Sequence, residues 1–444
     1  MTTHHSPAPS SPPSPDGLSL RPFRALRYAD PDPARLALRL CPPYDVIDDA
    51  ERSALERADP HNAVRLILPR PPAGSRPSDP AAGPGSADPQ YQQAARLLRD
   101  WQRSGILHRD PAPGVYVYEI GTTRGLIGAL ALAAPDAGII LPHENTMPGP
   151  VADRLALTEA TQSNLEPIFC VYDGTEQTAA LLGSVDALPP LAEATTPDGV
   201  RHRLWSLTDP AQLDRLDAAL HPLRAVIADG HHRYATYLQH QRDRHAAGAG
   251  PGPWDFGLTF LVDARRFGPA VEAIHRVIPG LDYERAVGAA GRGFRVTPIE
   301  GSVDTALGRL REAGREGTAF VITDGTAWSL LTHPDREELN RVLPEGPGAA
   351  WRTLEVTVAH QYLIGRLWSP LGLTDTAETV LFQHDAAAAV RQVTGGSGVV
   401  LLLNPTPVEQ VARVAAEGDR MPRKSTLFEP KPRTGMLFRP FAPA

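Results

Sequence analysis

Apolar and polar positions along this chain switch between a period of two and a period near three and a half, which predicts strands and helices in alternation. Alternating or continuous apolar runs predict strands at 62–68 (NAVRLIL), 115–120 (VYVYEI), 126–132 (LIGALAL), 164–172 (NLEPIFCVY), 201–207 (RHRLWSL) and 257–263 (GLTFLVD). Helical spacing joins Ala94, Leu97, Leu98 and Trp101, with Gly105 as the stop, and a second helix opens at Asp153-Arg154 and runs to about Ser163. A short strand at 139–141 ends on His143 and Glu144. The β-branched run Ala225, Val226, Ile227 reads as a buried strand, Asp229-Gly230 as a tight turn, and the residues from Tyr234 as a helix with Tyr237 and Leu238 on one face.

Beyond about Ile278 the same alternation starts afresh. Strands are expected at 293–299, 319–323, 328–331, 380–383 and 399–403, and helices at 303–313 and 354–368. A further helix has Thr406 as N-cap, Pro407 at its first position, Glu409 at its third and Gly418 beyond its end. The fold class is therefore mixed α/β in two domains, 21–278 and 279–420, with a basic C-terminal segment, 421–444, that returns to the site. Residues 1–20, rich in Pro and Ser, are expected to be disordered, with His4-His5 inert, and 69–90 (PRPPAGSRPSDPAAGPGSADPQ) to be a mobile surface insertion.

Charge narrows the partners. A net charge of −7 and a pI near 6.1 predict no general affinity for nucleic acid or an anionic membrane surface. Cys41 and Cys170 stand far apart in no ligand spacing, so neither a disulfide framework nor a zinc site is expected. With no run of about 20 apolar residues and no signal-like start, the chain reads as cytoplasmic. Of its 44 basic residues only Lys424 and Lys431 are lysines, so two compact, rotatable ammonium groups sit in a chain that otherwise uses guanidinium.

The chemistry concentrates on the corner Asp229-Gly230-His231-His232-Arg233-Tyr234. A strand-to-helix turn aims backbone N–H groups and the positive end of a helix at one point, and Gly230 has no Cβ to hold an anion away. The structural alternative is that Asp229 caps the helix while His231, His232 and Arg233 solvate its first turn. Four polar groups around one glycine favour a phosphate site. Tyr44 and Asp45, after Pro42-Pro43, are candidates for a pocket wall, and His143, Glu144 and Arg154 for substrate contacts. In the tail, Lys424-Ser425-Thr426 lacks the glycines of a P-loop but could neutralise a polyphosphate; a basic tail pairing with acidic surface is the competing reading.

The hexapeptide 229–234 resembles the signature of the ParB and sulfiredoxin superfamily, which includes the free serine kinases. More closely, Pro42-Pro43-Tyr44-Asp45-Val46-Ile47, His143-Glu144 with Thr146 and Asp153-Arg154, Pro167-Ile168-Phe169, the corner itself, and Lys424-Ser425-Thr426 with Pro430-Lys431 are similar to the family called DUF1015. The resemblance implies a ParB/sulfiredoxin-like mixed-sheet domain over 21–278. Where the sulfiredoxin motif carries its reactive cysteine this chain has His231, and imidazole cannot replace a thiolate nucleophile, so reductase chemistry is disfavoured.

Together these readings lead to an expected nucleotide- or phosphate-binding enzyme that transfers a phosphoryl group or cleaves a phosphomonoester on a small metabolite. Serine or phosphoserine is the first substrate to try, and ATP or ADP the candidate co-substrate. Glu144, Asp229 and His231 are the candidate catalytic groups, Glu144 and Asp229 the candidate magnesium ligands, and Gly230, His231, His232, Arg233, Lys424, Ser425 and Thr426 the candidate phosphate contacts. The alternative is a nucleotide-binding regulatory switch without small-molecule turnover.

Overall fold

A computed structural model describes residues 15–72, 74, 85–376, 378–395 and 398–442. His4-His5, most of the expected disordered start and half of the insertion lie outside the described residues. The chain divides into two compact units: residues up to Pro269 together with those from Pro430 onward, and Ala270–Glu429. The second unit is closed by its own ends, since strand Ala270–Glu272 pairs antiparallel with Leu427–Glu429. That pairing sets the unit boundaries at 270 and 430, against 279 and 421 expected from the sequence.

In the first unit a nine-stranded mixed sheet carries the architecture. Strand Ala225–Asp229 lies between Ile140–Leu141, which it pairs in parallel, and Ile168–Tyr172, which it pairs antiparallel. Ile168–Tyr172 in turn runs parallel to Phe256–Asp263, and Phe256–Asp263 antiparallel to Thr123–Ala131. Ala225 and Ile227 are fully buried in a core with Leu130, Ile168, Cys170, Tyr234 and Leu261. Each such aliphatic side chain contributes roughly 1.5–3 kcal/mol by leaving water. The helix His231–Ala246 packs on this sheet, and Gly257 makes the approach possible: a Cβ there would come within 2.4 Å of the Tyr237 ring.

Two elements differ from the sequence expectation. Residues 62–68 form a short helix, Val64–Ile67, instead of a strand. Asn62 accounts for it: its side chain accepts the Val64 N–H at 2.9 Å and donates to the carbonyls of Leu38 and Leu40, which turns the chain before an extended run can form. The helix expected from Asp153 starts five residues earlier, spanning Pro148–Thr161 with prolines in its first turn.

The C-terminal stretch is woven into the first unit. Thr434 exchanges backbone hydrogen bonds with Cys41, Phe438 with Leu26, and Arg439–Pro440 pairs with Ser163–Asn164. Buried Arg439 donates to the Asn164 side chain and to the carbonyls of Phe256 and Pro253.

The second unit has a six-stranded antiparallel sheet in which Ala319–Thr323 lies between Trp328–Thr332 and Gly398–Leu402. Helices Val303–Gly314 and Ala386–Val393 bury Ala306, Leu310, Ala389 and Val393 against Val321, Val400 and Leu402. The helix expected from Thr406 begins instead at Val408, with Pro407 in the cap position, because the Thr406 hydroxyl donates to the Ser425 carbonyl. No helix among the described residues is long and apolar enough to cross a membrane.

Candidate functional site

The helix after the central strand begins at once. Gly230 occupies the cap position with φ 92°, in the left-handed region, so His231, His232 and Arg233 form the first helical turn rather than a loop ahead of Tyr234. The first helical hydrogen bond runs from the Tyr234 N–H to the Gly230 carbonyl at 2.9 Å. A register shift between Ile227 and Asp229 precedes the corner, and such an irregularity re-aims the following side chain. An alanine at 230 would be strained by its φ, and its Cβ would lie 3.0–3.1 Å from the Arg233 guanidinium. We therefore expect Gly230→Ala to destabilise the first unit by about 1–2 kcal/mol. Cys41 and Cys170, both buried there, give the readout as a rise in thiol labelling in urea.

Asp229 is the electrostatic centre. Its Oδ1 accepts from Lys431 Nζ at 2.6 Å and its Oδ2 from Arg233 Nη2 at 2.5 Å. Burial alone would raise its carboxyl, but Lys431 and then Arg233 outweigh burial and hold it below the usual carboxylate range. Lys431 answers in kind: burial would lower its ammonium, yet Asp229 and Asp45, the latter 3.5 Å away, keep it above the ordinary lysine value. Arg233 is almost wholly buried and its other nitrogen donates to the Pro167 carbonyl, so it braces the corner from behind.

The two histidines act as acceptors. His143 donates its backbone N–H to His231 Nε2 at 3.3 Å, and Met147 donates its own to His232 Nε2 at 3.0 Å. A ring that accepts at Nε2 carries its proton on Nδ1 when neutral. His231 Nδ1 stands 3.7 Å from Glu144 Oε2. Burial holds His232 below the ordinary imidazole value, which favours the neutral ring. The pair thus pins the 143–147 segment, with Glu144 on it, against the start of the helix.

Behind the corner lies a second set of charges. Glu166, buried in the strand approach, accepts the Tyr44 N–H at 3.0 Å and faces Arg154 at 3.5 Å. Burial raises its carboxyl, with Arg233 and Arg154 opposing. Arg154 lies over the Tyr44 ring at 4.2 Å and binds the Ile67 carbonyl and Asp153. Burial pushes the Tyr44 phenol up to about 12, so it stays protonated at neutral pH. A cavity of about 20 Å³ bordered by Arg154, Glu166 and Arg233 has room for no more than a water.

Of the residues singled out in the sequence, Asp45, Glu144, Asp229, Gly230, His231, His232 and Arg233 meet at one corner, and Tyr44 and Arg154 adjoin it through Glu166. Lys424, Ser425 and Thr426 belong to the second unit. There the Lys424 carbonyl accepts from Arg276, the Ser425 hydroxyl donates to the Pro422 carbonyl, and Lys424 itself holds φ 56°. The ammonium found at the corner is that of the other lysine, Lys431. Glu166 was missed; a lone carboxylate before proline in an apolar run was its signal. Among the described residues no group of three His, Cys, Asp or Glu is arranged to hold a metal ion. Asp229 has both oxygens engaged by Lys431 and Arg233, whereas the carboxylates of Asp45 and Glu144 are partly exposed.

A family model described as "Protein of unknown function (DUF1015)" matches residues 20–357. No curated protein matches the chain. Similar solved structures include a free serine kinase mutant in complex with ADP, at 12% identity and TM-score 0.33, covering 71% of this chain and 87% of that one. Another is SbnI with a C-terminal truncation from Staphylococcus aureus, at 12% identity and TM-score 0.33, covering 70% and 81%. A third is a conserved hypothetical protein from Pyrococcus furiosus, at 13% identity and TM-score 0.31, covering 72% and 93%.

Proposed function

The chain belongs to the DUF1015 family, and from its own corner geometry we propose that it binds a nucleotide or phosphorylated metabolite at Gly230 and transfers or releases a phosphoryl group. The observation that carries this reading is the Lys431 ammonium, held between Asp229 and Asp45 beside the open end of a sixteen-residue helix. Oriented amides and a fixed ammonium are what a phosphoryl group requires, because such transfer is mostly positioning and charge neutralisation.

Each residue then has a role set by its contacts. The amides of the first helical turn and Lys431 hold phosphate oxygens, and His232 offers its Nδ1–H. Asp229 and Arg233 do not touch the ligand: Asp229 places Lys431, and Arg233 fixes Asp229. Glu144, steadied by His231, takes the proton from the attacking hydroxyl as the new O–P bond forms and the bond to the departing nucleotide breaks. If magnesium accompanies the nucleotide, Asp45 and Glu144 would be the carboxylates to hold it, and it would neutralise charge on the phosphate oxygens. Lys424, Ser425 and Thr426 are not required.

The test is direct. Protein incubated with L-serine and magnesium ATP or ADP, and in reverse with phosphoserine, is followed by ³¹P NMR for a phosphomonoester or free phosphate. Glu144→Gln is expected to slow turnover about a hundredfold. Binding of nucleotide with no product from any small alcohol or phosphomonoester replaces the enzyme with a nucleotide-operated switch.

A further inference from the structure

The second unit contains a cavity of about 810 Å³, within the size range of small-molecule sites and lined entirely by residues between Ala313 and Gln410. It opens at one end of the three central strands, where Ala319–Thr323 begins and where Trp328–Thr332 and Gly398–Leu402 finish. This strand-end position comes from antiparallel pairing, which brings the turn at 316–318, the segment 333–336 and the segment 404–407 together.

The polar lining is uneven. Glu355 reaches the cavity from the start of a helix, and its Oε1 accepts the Ala319 N–H at 3.0 Å and the Asn404 side-chain amide at 3.2 Å. Burial pushes this carboxyl up to about 7, opposed by hydrogen bonds from the Ala319 backbone and from the side chain and backbone of Asn404. Elsewhere on the lining stand two guanidinium groups. Arg336 is exposed with no partner among the described residues, and Arg352 donates to the Pro344 carbonyl. The cavity therefore presents an acceptor at Glu355 and cationic donors at Arg336 and Arg352, with Leu339, Val358 and three prolines supplying apolar wall.

We propose that this cavity is a second small-molecule site, for a ligand carrying N–H donors at one end, read by Glu355, and an anionic group at the other, read by Arg336 and Arg352. Two kinds of molecule share that chemistry: short peptides or amino acids, with ammonium and carboxylate, and purine nucleotides, with a base edge and a phosphate. The inference does not depend on the Gly230 corner and survives its failure.

Calorimetric titration of the full chain with alanyl-alanine and, separately, with guanosine 5′-monophosphate distinguishes the two sources. At least one is expected to show a binding event that is at least tenfold weaker in Glu355→Gln and in Arg336→Ala and that persists in Lys431→Met, where any separate nucleotide binding at the corner is weakened. Glu355→Gln keeps the oxygen that accepts from Ala319, and Arg336 is exposed, so both variants are expected to fold; unchanged near-ultraviolet circular dichroism, to which Trp328, Trp351 and Trp368 of the second unit contribute, checks this. No binding of either probe, or binding that both variants leave intact, overturns the proposal. Binding of guanosine monophosphate lost only in Lys431→Met assigns that binding to the corner and, where alanyl-alanine does not bind either, overturns this site.

Discussion

Replacing Arg233 with methionine is expected to cost the first unit about 3–5 kcal/mol, the usual penalty for leaving one partner of a buried ion pair alone. Three interactions fail together: the bond to Asp229 Oδ2, the bond to the Pro167 carbonyl, and the nearby field that helps Glu166 keep its charge. Methionine fills much of the volume, so the loss reports the polar contacts rather than a cavity. Arg233→Lys keeps the charge but cannot span Asp229 and Pro167 at once, and is expected to recover only part of the loss. Thiol labelling in urea resolves this, because Cys41 and Cys170 lie buried in the first unit and the second unit has no cysteine. Labelling that rises less than about tenfold, or roughly 1.4 kcal/mol, contradicts the bracing role.

Lys431→Met is expected to have a different signature. Asp229 keeps Arg233, so the cost in stability is smaller, about 1–3 kcal/mol for a buried acceptor that loses one donor. Affinity for magnesium ADP, however, is expected to fall at least about tenfold, since a charge-assisted contact to phosphate is worth that much or more. The two variants therefore separate what holds the corner from what the corner holds. Lys424→Met, altered in a turn of the second unit, is expected to leave that affinity unchanged.

Most of the framework was legible from periodicity. The apolar runs at 115–120, 201–207 and 257–263 became strands because each is buried on the shared sheet, as their composition requires. The corner was legible as a place but not in detail. His231, His232 and Arg233 have modest helix propensity and followed a turn-like Asp-Gly, so they read as loop, whereas Gly230 in a left-handed conformation starts the helix directly beneath them. Their roles also depended on tertiary partners that no local pattern encodes: backbone amides of His143 and Met147 turn the imidazoles into acceptors.

The two lysines show the same limit. Both stood out by rarity, and the sequence favours Lys424, which Ser425 and Thr426 follow, over Lys431. Lys431 reaches Asp229 because the chain from Pro430 rejoins the first unit through Thr434 and Phe438, whereas Lys424 precedes the strand Leu427–Glu429 that closes the second. Asn62 and Thr406 repeat the lesson locally, each diverting a hydrogen bond that the linear pattern had assigned elsewhere.

The central claim is that phosphate oxygens bind at the helix start beside Gly230. Hydrogen–deuterium exchange of the full chain with and without magnesium ADP reads that segment by itself. The expected result is slowed exchange across residues 229–234 and 143–147 in the wild type, lost in Lys431→Met at the same nucleotide concentration. Saturating nucleotide that leaves 229–234 unprotected, while slowing exchange elsewhere or nowhere, contradicts it.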